Sequence, residues 1–496
     1  MLFNSLDYLV FFPIVVLLYF AIPAKYLKLR NAWLLLASYY FYMNWNAAYA
    51  LLLFGSTFIT YLAGLWIDAA RRKDKTVLAK WILGGSFAVN LGILFFYKYA
   101  NFFVQNCNRL LGIAGRQERI PAFDILLPVG ISFYIFQALG YTMDVYRGKT
   151  KATKNLFRYM LFVSFFPQLV AGPIERSDNL LGQFEEKHTF EVDRVREGLL
   201  LMLWGLFMKI VIADNAAVYV NAVYGDYMAY TGVEIILATV LFAFQIYCDF
   251  AGYSYLAIGS AKVLGFRLME NFRAPYQAVS VKDFWSRWHI SLTGWFRDYL
   301  YIPLGGNRKG KARKYLNTLI IFFASGMWHG AAWNYIIWGV LNGVYRVVED
   351  ATEGFRKKAK AKLHVDESRF SYRLGCGLIT FFLIDFTWLF FRAESVGQAF
   401  AIMKQIVVSL QFPQIFGLAV NRMGFSMQQL TALIFAFLIL AVVDALKNRY
   451  QDVCALVMKQ GAWLRWLVYL GLLFMIMMYG AYGMDYTQTE FIYFQF

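Results

Sequence analysis

Charge is what this chain has least of. Only 16% of its 496 residues are Asp, Glu, Lys or Arg, against about 25% in an ordinary soluble domain. That excludes a water-facing surface over most of the polypeptide. Cysteine is equally thin. Cys107, Cys248, Cys376 and Cys454 are dispersed, with no CxxC pair and no metal-ligand spacing. No disulfide framework and no metal site are implied, and Cys248 and Cys376, inside apolar stretches, read as small buried apolar residues. Long polar stretches are also missing. Only 173–195 and 350–373 qualify, and each is too short for a soluble domain, which argues against a separate extramembrane catalytic domain. The usual signatures are absent too: no GxSxG elbow, no HExxH, no Cys/His cluster and no Walker A loop.

What is present is apolar. Hydrophobic residues make up 60% of the chain and aromatic ones 19%, with a mean hydropathy of +0.48. The composition is that of an all-α polytopic membrane protein. Apolar segments lie near 8–24, 31–46, 47–68, 81–104, 124–143, 155–172, 196–221, 232–260, 316–346, 374–391, 427–446 and 463–484. Several are short, so about eleven spans are expected, with others re-entrant or interfacial. The first residues lack the positive n-region of a secretory signal, so Tyr8 to Ala24 reads as a retained helix.

The formal net charge is +17, which first suggests nucleic acid. The basic residues, however, fall in short segments between apolar runs, as at 71–75, 147–154, 308–314 and 356–362. That is the pattern of positive-inside loops facing an anionic leaflet. The partner is the lipid bilayer, not nucleic acid. Basic stretches at 25–30 and 71–80 place the N-terminus outside, with 31–46 and 47–68 as a hairpin.

Two of only four histidines stand in apolar, aromatic surroundings: His289 in Arg287-Trp288-His289-Ile290-Ser291-Leu292, and His329 in Gly326-Met327-Trp328-His329-Gly330. Ionisable groups at membrane depth are costly and mark function by default. Histidine is the side chain suited to moving a proton near neutral pH. The alternative is a structural histidine bonded to a helix carbonyl. The stretch 284–303 carries Arg287, His289, Arg297 and Asp298 and is too polar for lipid, so it lines a cavity or lies along the interface. The turn Gly305-Gly306-Asn307-Arg308-Lys309-Gly310-Lys311 is glycine-rich and basic without phosphate-loop spacing. It either holds an anionic cofactor through amides and lysines or is simply a basic cytosolic turn.

Taken whole, the block from Asn271 to His329 closely resembles the membrane-bound O-acyltransferase (MBOAT) family, in particular its bacterial branch that decorates cell-surface polymers by alginate or peptidoglycan O-acetylation or teichoic-acid D-alanylation. Supporting stretches are Leu127-Pro128-Val129-Gly130-Ile131-Ser132-Phe133-Tyr134, Phe166 to Ile174, and Cys248-Asp249-Phe250-Ala251-Gly252-Tyr253-Ser254. The branch often has aspartate after Tyr-Ser, where this chain has Tyr255. The resemblance implies a single MBOAT domain over 1–496, a helical bundle around a central tunnel in the bacterial cytoplasmic (inner) membrane. It implies acyl transfer, acetyl first, from acetyl-CoA or another acyl thioester to a polysaccharide hydroxyl. His329 matches the family's invariant histidine and would be the general base. His289 would orient the acceptor or donate to the oxyanion. Trp288 and Trp328 would exclude water, and Arg287, Asn307, Arg308 and Asp249 would line the substrate path.

The chain ends Phe491-Ile492-Tyr493-Phe494-Gln495-Phe496. The tail over 486–496 is similar to the aromatic terminus of the accessory peptide in teichoic-acid D-alanylation, which implies Tyr493 as a transient acyl carrier; a packed aromatic end is the alternative. With no Ser-His-Asp domain in the chain, polymer modification would need a separate extracytoplasmic SGNH-type partner. The competing readings are a transporter or flippase of an acylated carrier, against which no duplicated halves are visible, and an acyltransferase acting on a lipid or protein.

Overall fold

The computed structural model describes residues 1–116, 119–411 and 427–482. Every regular element among them is helical. Among the described residues, seven helical runs are long and apolar enough to cross a membrane: Ala47–Arg72, Thr76–Ile113, Val192–Gly225, Gly232–Leu264, Phe370–Arg392, Met427–Tyr450 and Ala462–Tyr479. Several of the other apolar runs, of which about eleven spans were expected, form shorter or broken helices. The chain divides into two compact units, residues 1–199 with 256–269, and 200–255 with 270–496.

The first unit contains α1 (Leu6–Ala21), α2 (Leu27–Met43), α3 (Ala47–Arg72), α4 (Thr76–Leu94), α5 (Ala100–Ile113), α6 (Ile131–Arg147), α7 (Leu156–Ser164), and the single turns α8 (Phe166–Leu169) and α9 (Ser177–Leu180). Ser5 caps α1 and Asn46 caps α3 through side-chain oxygens, satisfying amides that a helix start leaves open. Helix α6 is buried on nearly every face, as an all-round apolar helix must be. Two sequence motifs meet at its start. Gly130 takes φ +72°, and a Cβ there would lie 2.8 Å from the Leu169 carbonyl oxygen, so only glycine fits. Glu175, 2% exposed, accepts hydrogen bonds from the Met269 main-chain N–H and, at 2.7 Å, from the Asn179 amide. His188 is a structural histidine: its Nε2 bonds the Gln183 carbonyl at 3.0 Å and its ring packs on Phe266.

Helix α10 (Val192–Leu206) leads into the second unit. There follow a π-helical stretch Phe207–Ala213, α11 (Asp214–Gly225), α12 (Gly232–Leu264), α13 (Val281–Arg287), α14 (Ile290–Phe296), α15 (Gly310–His329), α16 (Trp333–Ala351), α17 (Glu353–Lys362), α18 (Phe370–Arg392), α19 (Val396–Val408), α20 (Met427–Tyr450), α21 (Val453–Met458) and α22 (Ala462–Tyr479). The apolar run near 316–346, read from the sequence as one segment, is in fact a helical hairpin. Helix α15 ends at His329, Gly330 is extended at φ −161°, and α16 starts at Trp333. The two helices touch backbone to backbone. A Cβ on Gly339 would lie 2.3 Å from the Phe322 carbonyl oxygen, and one on Gly326 would lie 2.5 Å from that of Tyr335. Small residues allow this approach between membrane helices.

The polar stretch 284–303 is likewise broken. Ser280 caps α13, and the chain turns at Trp288-His289 before α14 begins. The second unit also buries charge. Lys209 Nζ bridges Asp214 at 2.8 Å and Asp249 at 2.6 Å, all three within 4% of full burial. A buried cation with its carboxylates satisfied fixes helices against each other, whatever its net energy.

Candidate functional site

Both sequence-marked histidines lie deep in the second unit. His289 is 1% exposed and His329 3%. His289 occupies the corner between α13 and α14 with φ +44° and ψ 55°, a left-handed backbone that costs about 1–3 kcal/mol outside glycine. Main-chain bonds on both sides hold that corner: Ile290 N–H donates to the Asn271 carbonyl at 2.9 Å, and Arg273 N–H to the Arg287 carbonyl at 2.9 Å. His329 is the last residue of α15, placed by the glycine contact of the α15–α16 hairpin.

Both imidazoles contact one indole. Trp328 lies 5.8 Å from the His289 ring and 5.0 Å from the His329 ring, centroid to centroid. The circuit of rings then closes. His329 meets Trp338 edge-on at 4.9 Å, Trp338 stacks on Trp388 at 5.7 Å, and Trp388 touches Trp288 at 5.1 Å. Trp288 packs on Phe272 at 5.0 Å, and Phe272 returns to His289 at 6.4 Å. Helix α12 adds Phe250, edge-on to His289 at 4.7 Å. Burial among these rings pushes the His289 imidazolium down, to about 3, so the ring is neutral near pH 7.

Other polar groups brace this wall. Lys447 of α20 donates to the Phe272 carbonyl at 2.8 Å and to the Tyr255 hydroxyl, and it pairs with Glu270 at 2.7 Å. Tyr255, where the branch often has aspartate, thus offers Lys447 a hydroxyl, and Glu270 supplies the negative charge. Helix α16 is tied to α18 by Asn342 to Thr387 at 3.1 Å and Asn334 to the Ala393 carbonyl at 2.7 Å. The indole N–H of Trp338 is buried with no acceptor in reach among the described residues.

The remaining residues singled out in the sequence fall elsewhere. Asp249 belongs to the Lys209 cluster, one residue from Phe250. Arg287 pairs with Asp283 at 2.7 Å and donates to Asn448 at 2.9 Å. Asn307 and Arg308 are exposed on the turn before α15, roughly 28 Å from His329 along a helix of 20 residues. Tyr493 lies outside the described residues. Among the described residues, no group of three or more His, Cys, Asp or Glu side chains is placed to hold a metal ion. Sequence reasoning missed Asn271, Trp338 and Trp388 as parts of this site. Tryptophans within apolar runs carry no pattern that marks them.

Two buried imidazoles beside aromatic rings, within a polytopic helical membrane protein, form the candidate site of this chain. The chain belongs to the membrane-bound O-acyltransferase family, whose model matches residues 150–366, and is therefore an acyltransferase. It is 39% identical over 442 residues to the "probable alginate O-acetylase AlgI" of Pseudomonas putida, covering 89% of this chain and 87% of that one. It is 34% identical over 436 residues to the peptidoglycan O-acetyltransferase of Helicobacter pylori, covering 82% and 80%. The teichoic acid D-alanyltransferase of Bacillus subtilis is 27% identical over 296 residues, covering 56% and 72%.

Proposed function

We propose that the protein takes an acetyl group from a cytosolic thioester, acetyl-CoA or another acyl thioester, and passes it across the bacterial cytoplasmic membrane for O-acylation of an exported polysaccharide such as alginate or peptidoglycan. The observation that carries this reading is the pair of buried imidazoles closed in by tryptophans, in a chain similar over most of its length to polymer O-acetylases. His329 takes the proton of the attacking hydroxyl as its oxygen forms a bond to the acyl carbon. The carbon–sulfur bond breaks, and the proton leaves on the thiol. His289 contacts the acceptor or the oxyanion. Trp288 and Trp328 keep water from the thioester. Arg287, Asn307 and Arg308 line the anionic donor's path, and Asp249 supports α12 through Lys209.

In this reading the first acceptor is the Tyr493 phenol. An aryl ester stays reactive enough to hand the acyl group on, here to an SGNH-type partner outside the membrane, which places it on the polymer. The similarity to a D-alanyltransferase favours D-alanyl as a second acyl group.

Intact-mass and peptide mass spectrometry after incubation with labelled acetyl-CoA tests the proposal, with His329→Ala and Tyr493→Phe alongside. Label on the C-terminal peptide, lost in both variants, supports the relay. His329-dependent thioester consumption without label means direct transfer and a packing role for the tail. Neither label nor consumption, also with a D-alanyl carrier-protein thioester, points to transport without chemistry.

A further inference from the structure

Asn271 makes more contacts with the His289 corner than any packing role requires. Its main-chain carbonyl takes the Ile290 N–H at 2.9 Å. Its side-chain Oδ1 receives the Ser291 hydroxyl at 2.9 Å and the Ser291 main-chain N–H at 3.4 Å, and stands 3.1 Å from His289 Nδ1. Its Nδ2 donates to Ser254 Oγ of α12 at 3.2 Å. Asn271 is itself fully buried, so none of these bonds is shared with bulk water.

The orientation of this amide follows from the network. A main-chain N–H can only donate, so the Asn271 atom facing Ser291 must be the oxygen. The reverse orientation would set an NH2 group against that N–H. The same oxygen faces His289 Nδ1, and an oxygen there needs a hydrogen from the ring. Ser291 Oγ, 3.4 Å from Nδ1, gives its hydrogen to Asn271 and offers the ring a second lone pair.

We infer that Asn271 is a positioning residue that holds His289 in the Nδ1–H tautomer, so that the opposite ring nitrogen, Nε2, meets the substrate as a hydrogen acceptor. A neutral imidazole has one N–H. With that hydrogen committed to Asn271, His289 cannot also donate to an oxyanion. Of the two roles open to His289, only the accepting one remains: it takes a hydrogen bond from the acceptor hydroxyl or from an amide N–H of the donor. This inference rests on the acyl-transfer reading for its consequence, but the tautomer itself is measurable without any reaction. Burial keeps the ring neutral, which a fixed tautomer requires.

Among the described residues, burial is what shifts His289, and no charged neighbour contributes to that shift. Ionisable groups on the elements packed around the ring are His329 of α15, Tyr247, Cys248 and Asp249 of α12, and Glu270, Asp444 and Lys447 beside Phe272. Asp249 is paired with Lys209, Glu270 with Lys447, and Asp444 accepts from the Tyr247 hydroxyl at 3.0 Å.

The chain has only four histidines, so 15N labelling of histidine alone gives a readable imidazole spectrum from the full-length protein in lipid. His289→Asn and His329→Asn serve for assignment. In wild type, His289 should show a protonated Nδ1 and a bare Nε2 at neutral pH. Asn271→Asp keeps the acceptor oxygens for Ser291 and places a carboxylate beside Nδ1. It should preserve the tautomer, raise the pH at which the ring becomes charged, and move the acidic limb of acetyl-CoA turnover upward with it. Asn271→Leu removes the acceptor. It should mix the tautomers and lower turnover at least tenfold, while Asn271→Asp folds and isolates the chemistry if the leucine variant does not. A wild-type Nε2–H signal, or an unchanged His289 spectrum in Asn271→Leu, overturns the assignment. A changed tautomer with unchanged acetyl transfer overturns the role of His289 in catalysis and leaves His329 acting alone.

Discussion

At the scale of single residues, the two histidines differ in what holds them. His329 ends a helix and meets the rings of Trp328, Trp338 and Phe391, whereas His289 sits in a hydrogen-bonded corner. Removing a general base typically costs 10² to 10⁴ in rate. His329→Ala is therefore expected to lower thioester turnover at least about a hundredfold with normal amounts of folded protein, measured as free thiol released. Trp338 gives a sharper test of what the wall does. Its indole N–H is buried beside His329 without an acceptor among the described residues, where a carbonyl oxygen gaining charge would find a donor. Trp338→Phe keeps an aromatic ring and removes the N–H. If that N–H serves the oxyanion, kcat should fall by roughly 10² with KM little changed. A change of only a few-fold in both constants would leave Trp338 as wall alone. The histidines were legible in the sequence because an ionisable group in an apolar run is costly and therefore conspicuous. Asn271 opened the family-like block but was not marked as a site residue, because its meaning lies in contacts with His289, Ile290 and Ser291, 18 to 20 positions away.

At the scale of elements, the sequence showed where apolar chain runs but not where it turns. Hydropathy averages over a window, so the short bend at Gly330 disappeared into the run 316–346, and two helices read as one. The signal was there in Gly326, Gly330 and Gly339, but a glycine in an apolar run is equally consistent with a packing face. The structure shows which applies: at Gly326 and Gly339 the two backbones touch. A methyl group at Gly339 must push α16 off α15 and drag His329 with it. Gly339→Ala is expected to destabilise the hairpin by about 1–3 kcal/mol and to lower turnover more than Trp338→Phe, seen as a lower apparent melting temperature together with lost activity. Gly354, in an exposed helix with open space around its Cα, is the control, and Gly354→Ala should leave both unchanged. The broken stretch 284–303 is the complementary case. Its polarity correctly said that it could not face lipid. Its division into α13, a left-handed corner and α14 depends on bonds to Asn271 and Arg273 that sequence spacing alone does not reveal.

At the scale of the whole molecule, stability should carry a pH signature that can be assigned to one side chain of the first unit. Burial pushes the Glu175 carboxyl up to about 7, with the hydrogen bonds from Asn179 and the Met269 N–H pulling the other way. The folded chain thus holds a proton there that the unfolded chain, with an ordinary value of 4.5, has released. The contribution to stability is fully present below 4.5 and is lost as pH rises through about 7. Its ceiling is roughly 3 kcal/mol. His188 and His289 act in the opposite sense. Burial lowers both, so their contribution falls away as pH drops below the ordinary histidine value of 6.5. A melting curve of wild type alone would mix these trends. Glu175→Gln separates them, because glutamine keeps an oxygen for the Met269 N–H and has no proton to lose. The difference in apparent melting temperature, wild type minus variant, should decline by a few degrees between pH 5 and 8. A difference that stays flat would mean that Glu175 remains ionised in the fold, held by its two donors. The carboxylate would then be a permanent tether between the turn at Pro173-Ile174 and Met269, and acid rather than base would release it.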